Sequence, residues 1–98
     1  MDFMVRLAVY ALLEKEPCTP SSLEKALLNL GLEVNSSDLS HYIQRQHLET
    51  KALTLVTGDG GRAYGLSAVG QQKYLELKAH WSEIQGRLEA LLSESDMP

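Results

Sequence analysis

Residues 36–70 read SSDLSHYIQRQHLETKALTLVTGDGGRAYGLSAVG, and their interpretation decides the fold. Asn35 or Ser36 supplies an N-cap oxygen, and Leu39 and Ile43 recur at helical spacing, which predicts a helix with one apolar face. The opposite face carries Ser37, Ser40, His41, Gln44 and Arg45. Past Leu48 the periodicity changes. Leu53–Val56 and Ala63–Leu66 are short β-prone runs, separated by Thr57-Gly58-Asp59-Gly60-Gly61-Arg62. Such a pattern predicts a hairpin whose tip needs residues tolerant of positive φ.

A helix presenting polar side chains, followed at once by a two-stranded ribbon with an arginine near its tip, is the plan of a winged helix-turn-helix. The run Leu48-Glu49-Thr50-Lys51-Ala52-Leu53, with Arg62-Ala63-Tyr64-Gly65-Leu66-Ser67 and Gly70, resembles the wing pattern of the PadR and MarR-like bacterial regulators. The resemblance covers residues 36–75 and departs at two positions. Ala52 stands where those families place glycine, and Arg45 where they often place leucine. It implies a mainly α-helical chain with a small β-hairpin, an α+β winged helix-turn-helix in which a long C-terminal helix mediates dimerisation.

The preceding segments fit that plan. Residues 2–16 place Met4, Leu7, Ala8, Ala11 and Leu12 along one helical stripe, stopped by Pro17. Thr19 followed by Pro20 is a cap with proline at the first helical position, after which Leu23, Ala26, Leu27 and Leu30 line a second helix ending at Gly31. We divide the chain into a winged-helix domain over residues 1–70 and a C-terminal helix over 71–98, forming one compact unit. From Gly70 onward, Tyr74, Leu77, Trp81, Ile84, Leu88 and Leu91 alternate steps of three and four, a heptad seam. A helix from Ala68 to Ser93 would be about 40 Å long, more than so small a domain can cover. The seam therefore predicts a homodimer with a coiled-coil-like interface.

Ninety-eight residues with 44% hydrophobic content make one domain with a single modest core. No apolar run approaches the ~18–20 residues of a membrane span, and the first residues lack the basic and small-residue features of a signal peptide, so the expected location is cytoplasmic. Cys18 is the one cysteine, which leaves no intrachain disulfide and no thiolate metal cluster. His41 and His47 are six apart, on different sides of a helix, and no metal site is predicted. Gly58-Asp59-Gly60-Gly61 lacks the Lys-Ser/Thr and following helix of a phosphate cradle. With no nucleophile–base pair in view, the expectation is a non-enzyme without a cofactor.

Net charge is −4, yet phosphate affinity depends on local charge. Residues 35–80 hold Arg45, Lys51, Arg62, Lys73 and Lys78 against Asp38, Glu49, Asp59 and Glu76, whereas both flanking segments are net acidic. The DNA reading gives Ser37, Ser40, His41, Gln44 and Arg45 to the major groove, where Gln suits adenine and Arg guanine. Arg62 reaches a minor groove or phosphate, and Lys51, Thr19, Ser21 and Ser22 hold the backbone. A twofold dimer would place its two reading helices roughly 34 Å apart on a palindromic operator. The alternative is an acidic protein-interaction module, such as an adaptor, anti-repressor or DNA mimic, in which Asp38, Glu49 and Asp59 interrupt the basic face. A third reading adds a small aromatic effector in a dimer core around Trp81.

Overall fold

The computed structural model describes residues 1–58 and 61–95. Four helices and one hairpin follow in the order α1 (Phe3–Lys15), α2 (Pro20–Asn29), α3 (Ser36–Leu48), β1 (Leu53–Gly58), β2 (Gly61–Leu66) and α4 (Ala68–Ser95). Each short helix begins on a side-chain cap that satisfies an otherwise orphaned N–H. The Asp2 carboxylate accepts from the Val5 N–H, Thr19 Oγ1 from the Ser22 N–H, and Asn35 Oδ1 from the N–H groups of Ser37 and Asp38. Pro20 occupies the first turn of α2, and Gly31, with φ +82°, reverses the chain after it, as the sequence leads one to expect.

The core is where α1, α2, α3 and the root of the hairpin converge. Leu23 and Leu27 from α2, Leu39, Tyr42 and Ile43 from α3, and Ala52 and Leu53 beyond it are buried there. From α1 the buried side chains are Val5, Val9, Tyr10 and Leu13. This corrects the expected stripe: Met4 is exposed and Leu7, Ala8, Ala11 and Leu12 are only half-buried. Helix α1 is apolar almost all round, so spacing alone cannot select its inward face. Leu30 is likewise exposed, because α2 ends before it and Leu30 serves as the C-cap.

The hairpin is longer than the two β-prone runs. Leu53 pairs with Leu66, Leu55 with Tyr64, Thr57 with Arg62 and Gly58 with Gly61, so Thr57 and Arg62 belong to the ladder and not to the tip. Asp59 and Gly60, expected at the wing tip, lie outside the described residues, as does the segment 96–98. An isolated antiparallel bridge joins Cys18 to Tyr64 through both backbone bonds, at 3.0 and 2.8 Å. It ties the linker between α1 and α2 to the outer edge of β2.

Helix α4 leaves the hairpin at Ala68, so it has already begun at the expected boundary between residues 70 and 71. Its first turns rest on α1 and β2, with Tyr74 and Leu77 packed against the core. Farther along, Trp81 and Ile84 are half-buried while Leu88, Leu91 and Leu92 are exposed. The molecule measures 59 × 26 × 21 Å because α4 outruns the body. Among the described residues no helix is long and apolar enough to cross a membrane.

Candidate nucleic-acid interface

Burial of Leu39, Tyr42 and Ile43 fixes the roll of α3, since side chains three and four apart share a face. Ser37, Ser40, His41, Gln44 and Arg45 are consequently all exposed on the outward side. Arg62 is exposed on β2, opposite Thr57. Lys51 is exposed as well and has φ +60°, the left-handed region that L side chains seldom adopt. At this residue the chain turns out of α3 into β1.

The residues at the start of α2 play a second part. Thr19 Oγ1 accepts from the Ser22 N–H and donates to Ser22 Oγ, both at 3.1 Å, which engages the Thr19 hydroxyl in capping. Ser21 and Ser22 remain exposed beside it. Ser36 Oγ donates to the Glu24 carboxylate at 2.6 Å, joining the first turn of α3 to α2 and fixing the two helices of the motif to each other.

Carboxylates do stand among the cations. Asp38 shares a shallow hollow with His41, Tyr42 and Arg45, and Glu49 another with His41, Gln44, Arg45 and Leu48. The outward face is therefore mixed in sign along α3, while Lys51 follows it in the corner and Arg62 stands on β2.

Behind α3 the sequence gives no warning of what holds it. Tyr10 Oη donates to Gln46 Oε1 at 2.5 Å, and Thr50 Oγ1 donates to the Gln46 carbonyl at 3.1 Å. Burial raises the phenol pKa of both Tyr10 and Tyr42, an effect that the Arg6 guanidinium partly offsets at Tyr42. His47 presents Nδ1 to the Leu53 carbonyl at 3.0 Å, so that nitrogen carries the proton, and the ring meets Tyr64 edge-on at 5.5 Å. His47 is thus a packing residue of the hairpin root. Cys18 is half-buried, and its thiol pKa is raised by burial and by the neighbouring Glu16, the opposite of what a nucleophile needs.

A cleft of about 450 Å³ lies between α1, α3 and α4. Phe3, Tyr10, Tyr42 and Leu77 form its apolar walls, and Arg6, Lys73, Glu76 and His80 its polar ones. The Arg6 Nε is buried and has no hydrogen-bond partner among the described residues. Trp81 does not line it. Sequence spacing could not reveal this cleft, because its residues come from three helices far apart in the chain.

No family model matches the sequence, and no curated protein does. Solved structures do. A PadR-like transcription factor from Bacteroides fragilis is 25% identical, with a TM-score of 0.72 over 90% of this chain and 89% of that one. A PadR family transcription regulator from Clostridium difficile R20291 is 17% identical, with a TM-score of 0.77 over 90% and 97% of the two chains. A PadR-like transcriptional regulator from Bacillus cereus ATCC 14579 is 19% identical, with a TM-score of 0.76 over 91% and 92%. The chain has the PadR-like winged-helix fold, hairpin and long C-terminal helix included.

Proposed function

We propose that this chain is a DNA-binding transcription regulator that acts as a homodimeric repressor on a palindromic operator. The observation that carries the reading is the outward face of α3. Five polar side chains, Ser37, Ser40, His41, Gln44 and Arg45, stand exposed in one row beside a wing that presents Arg62. They do so on a fold shared with proteins described as transcription regulators. Gln44 and Arg45 have the donors and acceptors that discriminate base edges, and the serines and His41 extend the row toward phosphates. Lys51 and Arg62 add sequence-independent attraction, with Ser21, Ser22 and Thr19 beside the backbone.

Dimerisation is the part of the proposal assigned to α4. The exposed Leu88 and Leu91 of the seam and its half-buried Trp81 and Ile84 offer a second copy an apolar stripe outside the chain's own core, with Leu92 exposed beside it. A small aromatic effector completes the reading, and the room for it is the cleft walled by Phe3, Tyr10 and Tyr42. Such a ligand would press on Tyr42 and Gln46, on the inner side of the reading helix.

The test is binding of the purified protein to duplexes from its own upstream region across a salt series, with a scrambled duplex as control. Preferential binding by two subunits per site, weakening linearly in log affinity against log salt, is the expected result. Arg45→Ala combined with Arg62→Ala should abolish preference for the specific duplex while the circular dichroism spectrum is unchanged. Absence of binding at low salt by a folded dimer would refute the reading and direct the search to protein partners.

A further inference from the structure

The junction between α3, the corner and α4 is bonded more tightly than helix capping requires. Ser67, immediately before α4, uses one hydroxyl twice: Oγ accepts from the Gly70 N–H at 3.2 Å and donates to the Lys51 carbonyl at 2.5 Å. Its own N–H donates to the Ala52 carbonyl at 2.9 Å. Ala52, fully buried, donates its N–H to the Gln46 carbonyl in the last turn of α3 at 2.8 Å. An unbroken series of bonds thus runs from α3 through Ala52 to Ser67 and into α4.

Close contact reinforces the bonds. A Cβ built on Gly70 would lie 2.1 Å from the Ala52 carbonyl oxygen and 3.1 Å from its carbon. Both are backbone atoms of a buried residue, so neither can swing aside. Lys51, whose carbonyl Ser67 grips, is the one described non-glycine residue with positive φ. A strained backbone persists where its surroundings over-determine it, and here the surroundings are the start of α4. Elsewhere α3 and α4 face each other across the 450 Å³ cleft, so that besides the packing of α4 on α1 and β2 the corner is the direct bonded connection between them.

We propose that Ser67 and Gly70 are positioning residues that lock α4 to the corner after α3, so that this joint, and not the hairpin, sets the angle between the two helices. In the dimeric regulator proposed above, that angle determines which half-site spacing the paired α3 helices can read. The statement about spacing rests on that reading; the statement about the angle does not. Leverage makes the joint consequential. At about 1.5 Å per residue the end of α4 lies about 37 Å beyond Gly70, so opening the contact by about 1 Å over two turns swings it by about 3–4 Å.

Nitroxide labels at Ser40→Cys and Gln85→Cys, in a Cys18→Ser background diluted with unlabelled chain, report the α3–α4 distance within one chain. The parent should give one narrow distribution. Gly70→Ala should shift its mean by about 2 Å, the swing expected at Gln85, about 22 Å beyond Gly70, and Ser67→Ala should broaden it. Two further variants separate the joint from a simple cap. Ser67→Asp keeps a good capping acceptor but, ionised, cannot donate to the Lys51 carbonyl, whereas Ser67→Thr keeps both bonds. The joint requires Thr to restore the narrow distribution and Asp to leave it broad; restoration by Asp, or an unmoved Gly70→Ala, overturns it. Should Gly70→Ala not fold, the Ser67 series decides alone. On duplexes whose half-sites are respaced by one base pair, Ser67→Ala in the unlabelled chain should lose about fivefold in spacing discrimination, in keeping with one lost hydrogen bond, and bind a single half-site as before. If the parent binds no duplex, the regulator reading fails while the distances still decide the joint.

Discussion

The body formed by α1–α3 and the distal half of α4 are both apolar at helical spacing, and they spend that apolar surface in opposite ways. In the body, Leu23, Leu27, Leu39 and Ile43 are at most 1% exposed. In distal α4, Leu88 and Leu92 are 48% and 55% exposed. Periodicity states which side chains share a face; it does not state what covers the face. For α2 and α3 the cover is the same chain. For distal α4 we assign it to a second copy, because a 28-residue helix extends past everything its own domain can offer.

The contrast can be broken most forcefully in the body. Leu27→Ala removes a fully buried side chain and should cost about 2–5 kcal/mol in urea unfolding, whereas Leu88→Ala should change protomer folding by less than about 0.5 kcal/mol and weaken the proposed self-association instead. Sedimentation separates the two effects. Truncation after Lys78 should give a monomer or an aggregate, and a soluble dimer of undiminished affinity would remove the seam from the interface.

A smaller effect sharpens the body's side of the comparison. Tyr10→Phe deletes the bond to Gln46 and should cost about 1 kcal/mol at neutral pH. Its pH dependence carries a sign. The folded-state phenol pKa is raised by burial above its ordinary value near 10, so its stabilisation is intact below pH 10 and is lost as pH rises toward the folded value. Parent stability should therefore fall above about pH 10 more steeply than that of Tyr10→Phe, which thermal melts in alkaline buffers would reveal. Asn35→Ala should cost about 1 kcal/mol by exposing two amides at the head of α3. Least of all, Leu28→Ser, at a position 60% exposed on α2, should stay within about 0.5 kcal/mol.

What could be read from the sequence was what local chemistry encodes. Thr19-Pro20, Gly31 and Asn35 mark helix ends through bonds or torsions within a few residues, and the structure has each of them in that role. Leu39 and Ile43 disclosed the roll of α3, and with it the exposure of its polar row. The inward face of α1 was not legible, because residues on several sides of it are apolar and only the packing of α2–α4 chooses among them. Nor was the length of the ladder, since Thr57 and Arg62 read equally well as turn residues until Leu53 and Leu66 fix the register. The Tyr10–Gln46 bond spans 36 residues and the Ser67–Lys51 bond 16, and no local signal encodes a partner at such a distance.

The bridge between Cys18 and Tyr64 gives the wing a mechanical character. A free hairpin pivots about the two points where its strands leave the body, but here a third backbone segment grips β2 at Tyr64, two residues from its end at Leu66. The wing is a cantilever clamped along its base, its backbone bonds there shared between the α1–α2 linker and the ladder. In hydrogen exchange the Cys18 and Tyr64 amides should be protected together and released together, as parts of one beam and not of two loops. The backbone that carries Arg62 is thereby held from two sides at its root.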